Sequence, residues 1–286
     1  MYYGDGSIQD NIAYIQTNLK DGGKVYILGG TSAVSQAAES ALINAGVALV
    51  RLSGNNRYDT NLKILQEAGV NNEEILICTG LEYADSLSAS ATGLPILMVN
   101  AARNALMEGQ INFLREHANN KFTIIGGTGA ISEKLEADIE AIVGNVDRVF
   151  GKGREATSVA VAERYFGNSK YVFMAYSRNF PDGLCGGPVA YAHGVPLLLV
   201  NAKQESHARE FVKKNGIMNG YIMGGTAVLN DAIVSAVFNC TCWPGYTADV
   251  PTTPTPGHKP SNPPSGPSQQ PDEPPIFENR PVIPER

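Results

Sequence analysis

Apolar residues in this chain come in short unbroken runs, each closed by glycine or asparagine and followed by a stretch where they recur every three or four positions. Val25-Tyr-Ile-Leu28, Phe122-Thr-Ile-Ile125 and Tyr221-Ile-Met223 are such runs, and Gly-Gly-Thr follows each of them. A continuous apolar run bounded by turn residues predicts a strand buried on both faces. The stretch after it, exemplified by Ile131, Leu135, Ile139 and Ile142, predicts a helix. Ser35, Ser132 and Asn230 stand at the junction as helix N-caps, followed by Gln36, Glu133 and Asp231. Strand, glycine turn and helix in alternation predict an α/β fold of parallel sheets flanked by helices.

The same grammar repeats at long range. The first glycines of the turns are Gly29, Gly126 and Gly224, at steps of 97 and 98 residues. Arg51-Leu-Ser-Gly-Asn-Asn-Arg57 matches Arg148-Val-Phe-Gly-Lys-Gly-Arg154. Thr60 and Thr157 follow, each opening a helical run, and strands are expected at Ile75 to Cys78 and Tyr171 to Met174. Tyr83-Ala-Asp85 then matches Phe180-Pro-Asp182, with both aspartates read as helix caps. Pro95-Ile-Leu-Met98 matches Pro196-Leu-Leu-Leu199 at an offset of 101, which places a four-residue insertion between Asp182 and Pro196. A period near 100 residues is domain-sized, so tandem units are expected rather than a solenoid.

The glycine-turn block occurs three times and the arginine and proline blocks twice. The expected division is therefore 1–50 as the back half of a first, truncated repeat, 51–147 as a second, 148–242 as a third, and 243–286 as a tail. The absent half is expected to be where an export signal would lie, and to pack against the half that is present.

Composition narrows the function. A net charge of −6 argues against nucleic acid, which requires a concentrated basic face. No apolar run reaches the roughly 18 residues of a membrane span. Cys78, Cys185, Cys240 and Cys242 lack metal-site spacing, and His117, His193, His207 and His258 do not recur between units. The cysteines read as small buried hydrophobes. Of 17 prolines, 13 lie between Pro244 and Pro284, so the tail reads as an extended, disordered spacer or end without a Leu-Pro-x-Thr-Gly sorting motif.

The glycine turns invite a phosphate-loop reading, but Gly-Gly-Thr-x-Ala-x-Ser is neither Gly-x-Gly-x-x-Gly nor Gly-Lys-Ser/Thr. The favoured reading is a structural turn. Arg57 and Arg154, in glycine-rich loops, recur with Asp85 and Asp182, either as a polar site at the carboxyl ends of parallel strands or as structural ion pairs and caps. The second reading is favoured, because no activated nucleophile accompanies them and Ser86 and Ser88 lack a nucleophile elbow. No cofactor and no catalytic residue is expected.

The arginine-glycine block, the aspartate followed by small residues, the Pro-Ile/Leu-Leu run and Ile-Gly-Gly-Thr, in this order and spacing, resemble the cell wall binding repeat 2 family over about Val25 to Phe238. The resemblance implies Rossmann-like units packed as a pseudo-trimer. It also implies secretion to the Gram-positive cell surface and non-covalent anchoring there through an anionic, teichoic-acid-like secondary wall polymer. It links Pro95, Ile96, Leu97, Met98 and Pro196, Leu197, Leu198, Leu199 to polymer binding, to which Arg57, Arg154, Asp85 and Asp182 are added. Lys152, Arg103 and Lys203 are further basic candidates. Met98 and Glu155 depart from the pattern, Glu155 standing where the family has tyrosine, as at Tyr58. The alternatives are the binding region of an N-acetylmuramoyl-L-alanine amidase type wall hydrolase, with catalysis outside this chain, and a structural surface-layer module.

Overall fold

The computed structural model describes residues 8–238. Cys240, Cys242, His258 and the proline-rich stretch lie outside them. Three parallel sheets follow one another along the chain. The first unit runs α1 (Ile8–Asn18), β1 (Val25–Leu28), α2 (Gln36–Asn44), β2 (Leu49–Leu52), with β1 beside β2. The second runs α3 (Arg57–Ala68), β3 (Ile75–Thr79), α4 (Ala84–Ser90), β4 (Ile96–Val99), α5 (Glu108–Glu116), β5 (Phe122–Ile125), α6 (Glu133–Val143), β6 (Val146–Val149), in the sheet order β4-β3-β5-β6. The third runs α7 (Arg154–Tyr165), β7 (Tyr171–Tyr176), α8 (Pro181–His193), β8 (Leu197–Val200), α9 (Glu205–Lys214), β9 (Asn219–Met223), α10 (Asp231–Phe238), in the order β8-β7-β9. The expected repeat boundaries after residues 50 and 147 fall inside β2 and β6. The arginine block that opens each sequence repeat thus completes the preceding sheet.

The caps at Ser35, Ser132 and Asn230 form as the sequence predicts. The two serine hydroxyls and the Asn230 amide oxygen accept from Ala38, Leu135 and Ile233 N–H respectively. The threonines differ from expectation. Helices α3 and α7 begin at Arg57 and Arg154, three residues earlier, and α3 is capped by Asn56. Thr60 and Thr157 instead turn their hydroxyls back to accept from Gly54 and Gly151 N–H, closing the loop before each helix. The four-residue insertion is absorbed by α8, which has 13 residues against 7 in α4, about 1.7 more turns.

Both faces of the second sheet are covered. Ile75, Ile77, Leu97, Val99 and Ile124 meet Leu114 of α5 and Leu135 and Ile139 of α6. On the other face Leu76, Cys78 and Ile125 meet Ala89 of α4 and Val161 of α7, a helix of the third unit. Reciprocally, Ala84 and Leu87 of α4 pack with Phe173, Ala175, Leu197 and Leu199 of the third sheet. The two units therefore share an apolar seam in addition to the core that each holds on its other face. Its closest point is between α4 and α8. A Cβ at Gly187 would lie 1.8 Å from Ser90 Oγ, and one at Gly183 would lie 2.8 Å from Leu87 Cδ1.

Cys78 is buried as expected, whereas Cys185 is exposed on α8, because its helix turns that position away from the seam. Among the described residues no helix is long and apolar enough to cross a membrane, and no group of His, Cys, Asp or Glu is placed to hold a metal.

Candidate ligand-binding seam

The first two Gly-Gly-Thr turns are built by an arginine clip. Arg148 Nη1 donates to Gly126 O at 2.7 Å, and Nη2 donates to Ile131 O at 3.0 Å and to Glu136 Oε2 at 2.8 Å. Arg51 repeats the arrangement with Gly29 O, Val34 O and Glu39. A planar fork with five donors can tie both ends of a turn to one carboxylate, which a lysine cannot do. In the third copy Val234 stands where Glu136 would be.

Asp85 and Asp182 are not caps. They occupy the second position of α4 and α8, behind Tyr83 and Phe180. Their carboxylates lie against the turn glycines: a Cβ at Gly126 would be 2.5 Å from Asp85 Oδ2, and one at Gly224 would be 2.4 Å from Asp182 Oδ2. Both glycines also hold φ near +115°, at +118° and +113°. Glycine is required there twice over, by backbone conformation and by the carboxylate. A carboxylate occupying the turn leaves no place for a phosphate, in keeping with the structural-turn reading.

Arg57 and Arg154 stand in the first turn of α3 and α7, not in the loops before them. Each guanidinium reaches the carboxyl end of the first strand of its own unit: Arg57 Nη1 donates to Gly80 O at 2.7 Å, and Arg154 Nη1 to Ser177 O at 3.0 Å. Arg154 also faces the second unit. Its Nη1 donates to Tyr83 Oη at 3.2 Å, its guanidinium carbon lies 5.4 Å from the Tyr83 ring centre, and Nη2 is 3.7 Å from Glu82 Oε2. Tyr83 in turn meets its repeat counterpart Phe180, with ring centres 5.7 Å apart. Burial pushes the Asp85 carboxyl up to about 6, against the pull of the Arg154 charge and with a push from Glu82. The structure thus brings Asp85 and Arg154 together across the seam.

The Pro-apolar segments become edge strands β4 and β8. Leu97, Pro196, Leu197, Leu198 and Leu199 are buried, and Pro95, Ile96 and Met98 half-buried. Their free backbone edges are closed by helix side chains. Asn61 bridges Ile96 O and Met98 N, and Ser158 Oγ accepts from Leu199 N–H. An edge closed in this way offers no ladder to a ligand. These residues set the shape of the seam, while the groups that face solvent there are side chains of Glu82, Tyr83, Arg154, Arg178 and Phe180.

The third unit contains a buried network that the sequence reading passed over. Glu155 Oε1 accepts from Ser177 Oγ at 2.6 Å and from Asn201 Nδ2, and lies 3.3 Å from Arg178 Nη2. At the corresponding place in the second unit the Tyr58 ring covers Gly80, where a Cβ would lie 2.4 Å from Tyr58 Cε1. The signal was present in the sequence as paired exchanges at the same offset: Tyr58 to Glu155, Gly80 to Ser177, Leu81 to Arg178.

Parallel units joined through shared helices define a tandem-repeat protein of open α/β type, a class in which ligands bind at the carboxyl ends of the strands, where the polar cluster lies. The chain belongs to the cell wall binding domain 2 (CWB2) family, which matches residues 51–136 and 148–234. It is similar to the N-acetylmuramoyl-L-alanine amidase LytC of Bacillus subtilis, 24% identical over 238 residues, covering 80% of this chain and 47% of the amidase. It is also similar to the amidase enhancer of the same organism, 23% identical over 218 residues, covering 74% of this chain and 29% of that protein. The chain spans less than half the length of either relative. Among solved structures, Cwp6 from Clostridium difficile matches with a TM-score of 0.69 at 22% identity, over 80% of this chain and 38% of that one. Cwp8 from the same organism matches at 0.65 and 24%, over 76% and 38%. These structures share the fold. The chain is a tandem cell-wall-binding protein, and its association is with the wall or cell surface.

Proposed function

We propose that the chain anchors non-covalently to the Gram-positive wall by binding an anionic, teichoic-acid-like polymer across the seam between units, and that the repeats themselves carry no catalysis. The observation that carries this reading is Arg154, a partly exposed guanidinium braced by Ser177 O and the Tyr83 ring, at the strand ends where two units meet. Arg57 has the same brace on Gly80 O. Repetition of a weak site along a repeating polymer raises avidity without new contacts. The buried leucines of β4 and β8 shape the site, and Asp85 and Asp182 hold its turns. Ser86 and Ser88 hydroxyls donate to carbonyls of their own helix, which supports a non-catalytic role for them.

Co-sedimentation with wall sacculi, before and after the secondary polymer is stripped, tests the reading. Binding that disappears with the polymer and weakens about tenfold in Arg154→Ala supports it. Binding unaffected by stripping overturns it in favour of peptidoglycan. A second reading, the wall-binding part of an amidase-type hydrolase, is favoured by the match to LytC. It differs only in what the anchor carries.

A further inference from the structure

The geometry points to Arg178 as a ligand-contacting residue that gives the third unit an anion site the second unit lacks, with Glu155 as its positioning residue. The inference rests on the polymer-anchor reading and deepens it.

The starting point is the cost of Glu155. Its side chain is 4% exposed. A buried carboxylate needs both hydrogen bonds and an opposite charge. Ser177 and Asn201 supply the hydrogen bonds, and both are neutral. The charge comes from Arg178, whose side chain is 51% exposed. The buried carboxylate is sealed from any ligand, but the guanidinium it holds is not. One Arg178 nitrogen faces Glu155, and the fork has further donors on a side chain that is half exposed. Holding the head group from below removes much of the side-chain entropy that a free surface arginine loses on binding.

Arg178 is also in the right place. It follows Ser177, whose carbonyl receives Arg154. Two guanidiniums therefore stand at the carboxyl end of one strand, β7. At the matching end of β3 there are Arg57 on Gly80 O and Leu81, exposed and uncharged. A further exchange, Asn55 to Lys152, runs the same way, while at an offset of 101 Ala102 to Lys203 is balanced by Arg103 to Gln204. Lys203 N–H is tied to Asn201 Oδ1, the same asparagine that donates to Glu155. The tyrosine-to-glutamate exchange thus does not spoil the third unit as a binding surface. It exchanges a ring packed against Gly80 for a buried carboxylate that holds a half-exposed cation. The ligand group is an anionic oxygen, phosphodiester or carboxylate. Glu82, 63% exposed and 3.7 Å from Arg154, is the protein carboxylate such a group would displace.

The test uses the full chain on polymer-bearing sacculi across a salt series. The double variant Glu155→Gln/Arg178→Leu removes the guanidinium without leaving a buried charge behind. It is expected to keep its melting transition, to bind about tenfold more weakly, and to lose part of its salt dependence. Arg178→Gln, which keeps a donor for Glu155, carries the same expectation if the double variant does not fold. Arg178→Lys retains the charge and loses the fork, so it falls between. Glu82→Gln is expected to tighten binding about twofold to threefold by removing a competitor. Cleaving phosphodiesters with cold hydrofluoric acid, against amidating carboxylates with a carbodiimide, tells which anion is read. Folded variants that bind as the parent does, with the same salt dependence, overturn the role of Arg178 and leave the anchor reading standing. A parent chain that does not sediment with sacculi overturns the anchor reading itself.

Discussion

The second and third units are built on one plan and solve the same local problem differently. Where the first helix passes over the end of the first strand, the second unit places the Tyr58 ring against Gly80. The third unit places Glu155 there and restores a side chain, Ser177, underneath it. Neither half of either solution works alone. A ring leaves no room for a serine, and a buried carboxylate without Ser177, Asn201 and Arg178 would be an uncompensated charge. The difference teaches that a departure from a repeat pattern is best read with its spatial neighbours. Taken singly, Glu155 looks like a damaged site; taken with its neighbours it is a coordinated exchange.

The comparison can be broken most severely at the turn clip. Arg148→Ala leaves Glu136 and two turn carbonyls without their donor, and is expected to cost about 4 kcal/mol in chemical denaturation. Arg51→Ala should show a similar loss confined to the first unit, visible as local hydrogen exchange rather than global unfolding. If Arg148→Ala costs less than about 1 kcal/mol, the clip is an ornament of the turn rather than its support.

Transplantation sharpens the same contrast. Gly80→Ser alone drives a side chain into the Tyr58 ring and is expected to cost about 3 kcal/mol. The triple exchange Tyr58→Glu/Gly80→Ser/Leu81→Arg should recover most of that loss by rebuilding the third unit's network in the second. Absence of recovery would show that the network depends on more of the third unit than these residues and the asparagine at position 100.

Smaller effects probe the seam itself. Gly187→Ala brings a methyl within 1.8 Å of Ser90 Oγ and is expected to cost about 2 kcal/mol. Ser90→Gly in the same chain should relieve it, since the clash is between those two positions. Asp85 provides the pH test. Its folded carboxyl is raised from 3.8 to about 6, so the folded state holds the proton more tightly than the unfolded state. The resulting stabilisation is full below about pH 4 and is lost between about pH 4 and 6. Its upper limit is near 3 kcal/mol. Solvent at a half-buried group reduces that to about 1.5 kcal/mol. Asp85→Asn should flatten this part of the stability profile in thermal melts across pH. An unchanged profile would show that another group titrates there.

Much of the architecture was legible because it depends on local rules. Unbroken apolar runs before Gly29, Gly126 and Gly224 became β1, β5 and β9, although only β5 is buried on both faces and Tyr26, Leu28 and Tyr221 are exposed; the caps at Ser35, Ser132 and Asn230 formed where short polar side chains precede helical periodicity. Asp85 and Asp182 misled for a physical reason. Aspartate near a helix start is usually a cap, but here its carboxylate is used across the sheet by a turn about 40 residues further on. Thr60 and Thr157 misled in the same way: their hydroxyls bond backward to a glycine N–H rather than forward into the helix. The repeat boundaries were drawn at the arginine blocks because recurrence in sequence marks the unit of duplication. The sheets mark the unit of packing, and β2 and β6 belong to the sheets before them.

By itself the chain's order of residues determined the repeat, the alternation of strand and helix, the glycine turns and the family, since each rests on contacts within a few residues or on a period that can be counted. Only the tertiary structure decided that α4 and α7 are shared between sheets, that Arg154 stands across the seam from Asp85, and that Glu155, Ser177, Asn201 and Arg178 form one cluster. Those contacts join residues 22 to 71 positions apart. Their partners are chosen by which helix faces come together to bury apolar surface, and that choice is collective. No window of the chain short enough to be read as a motif contains it.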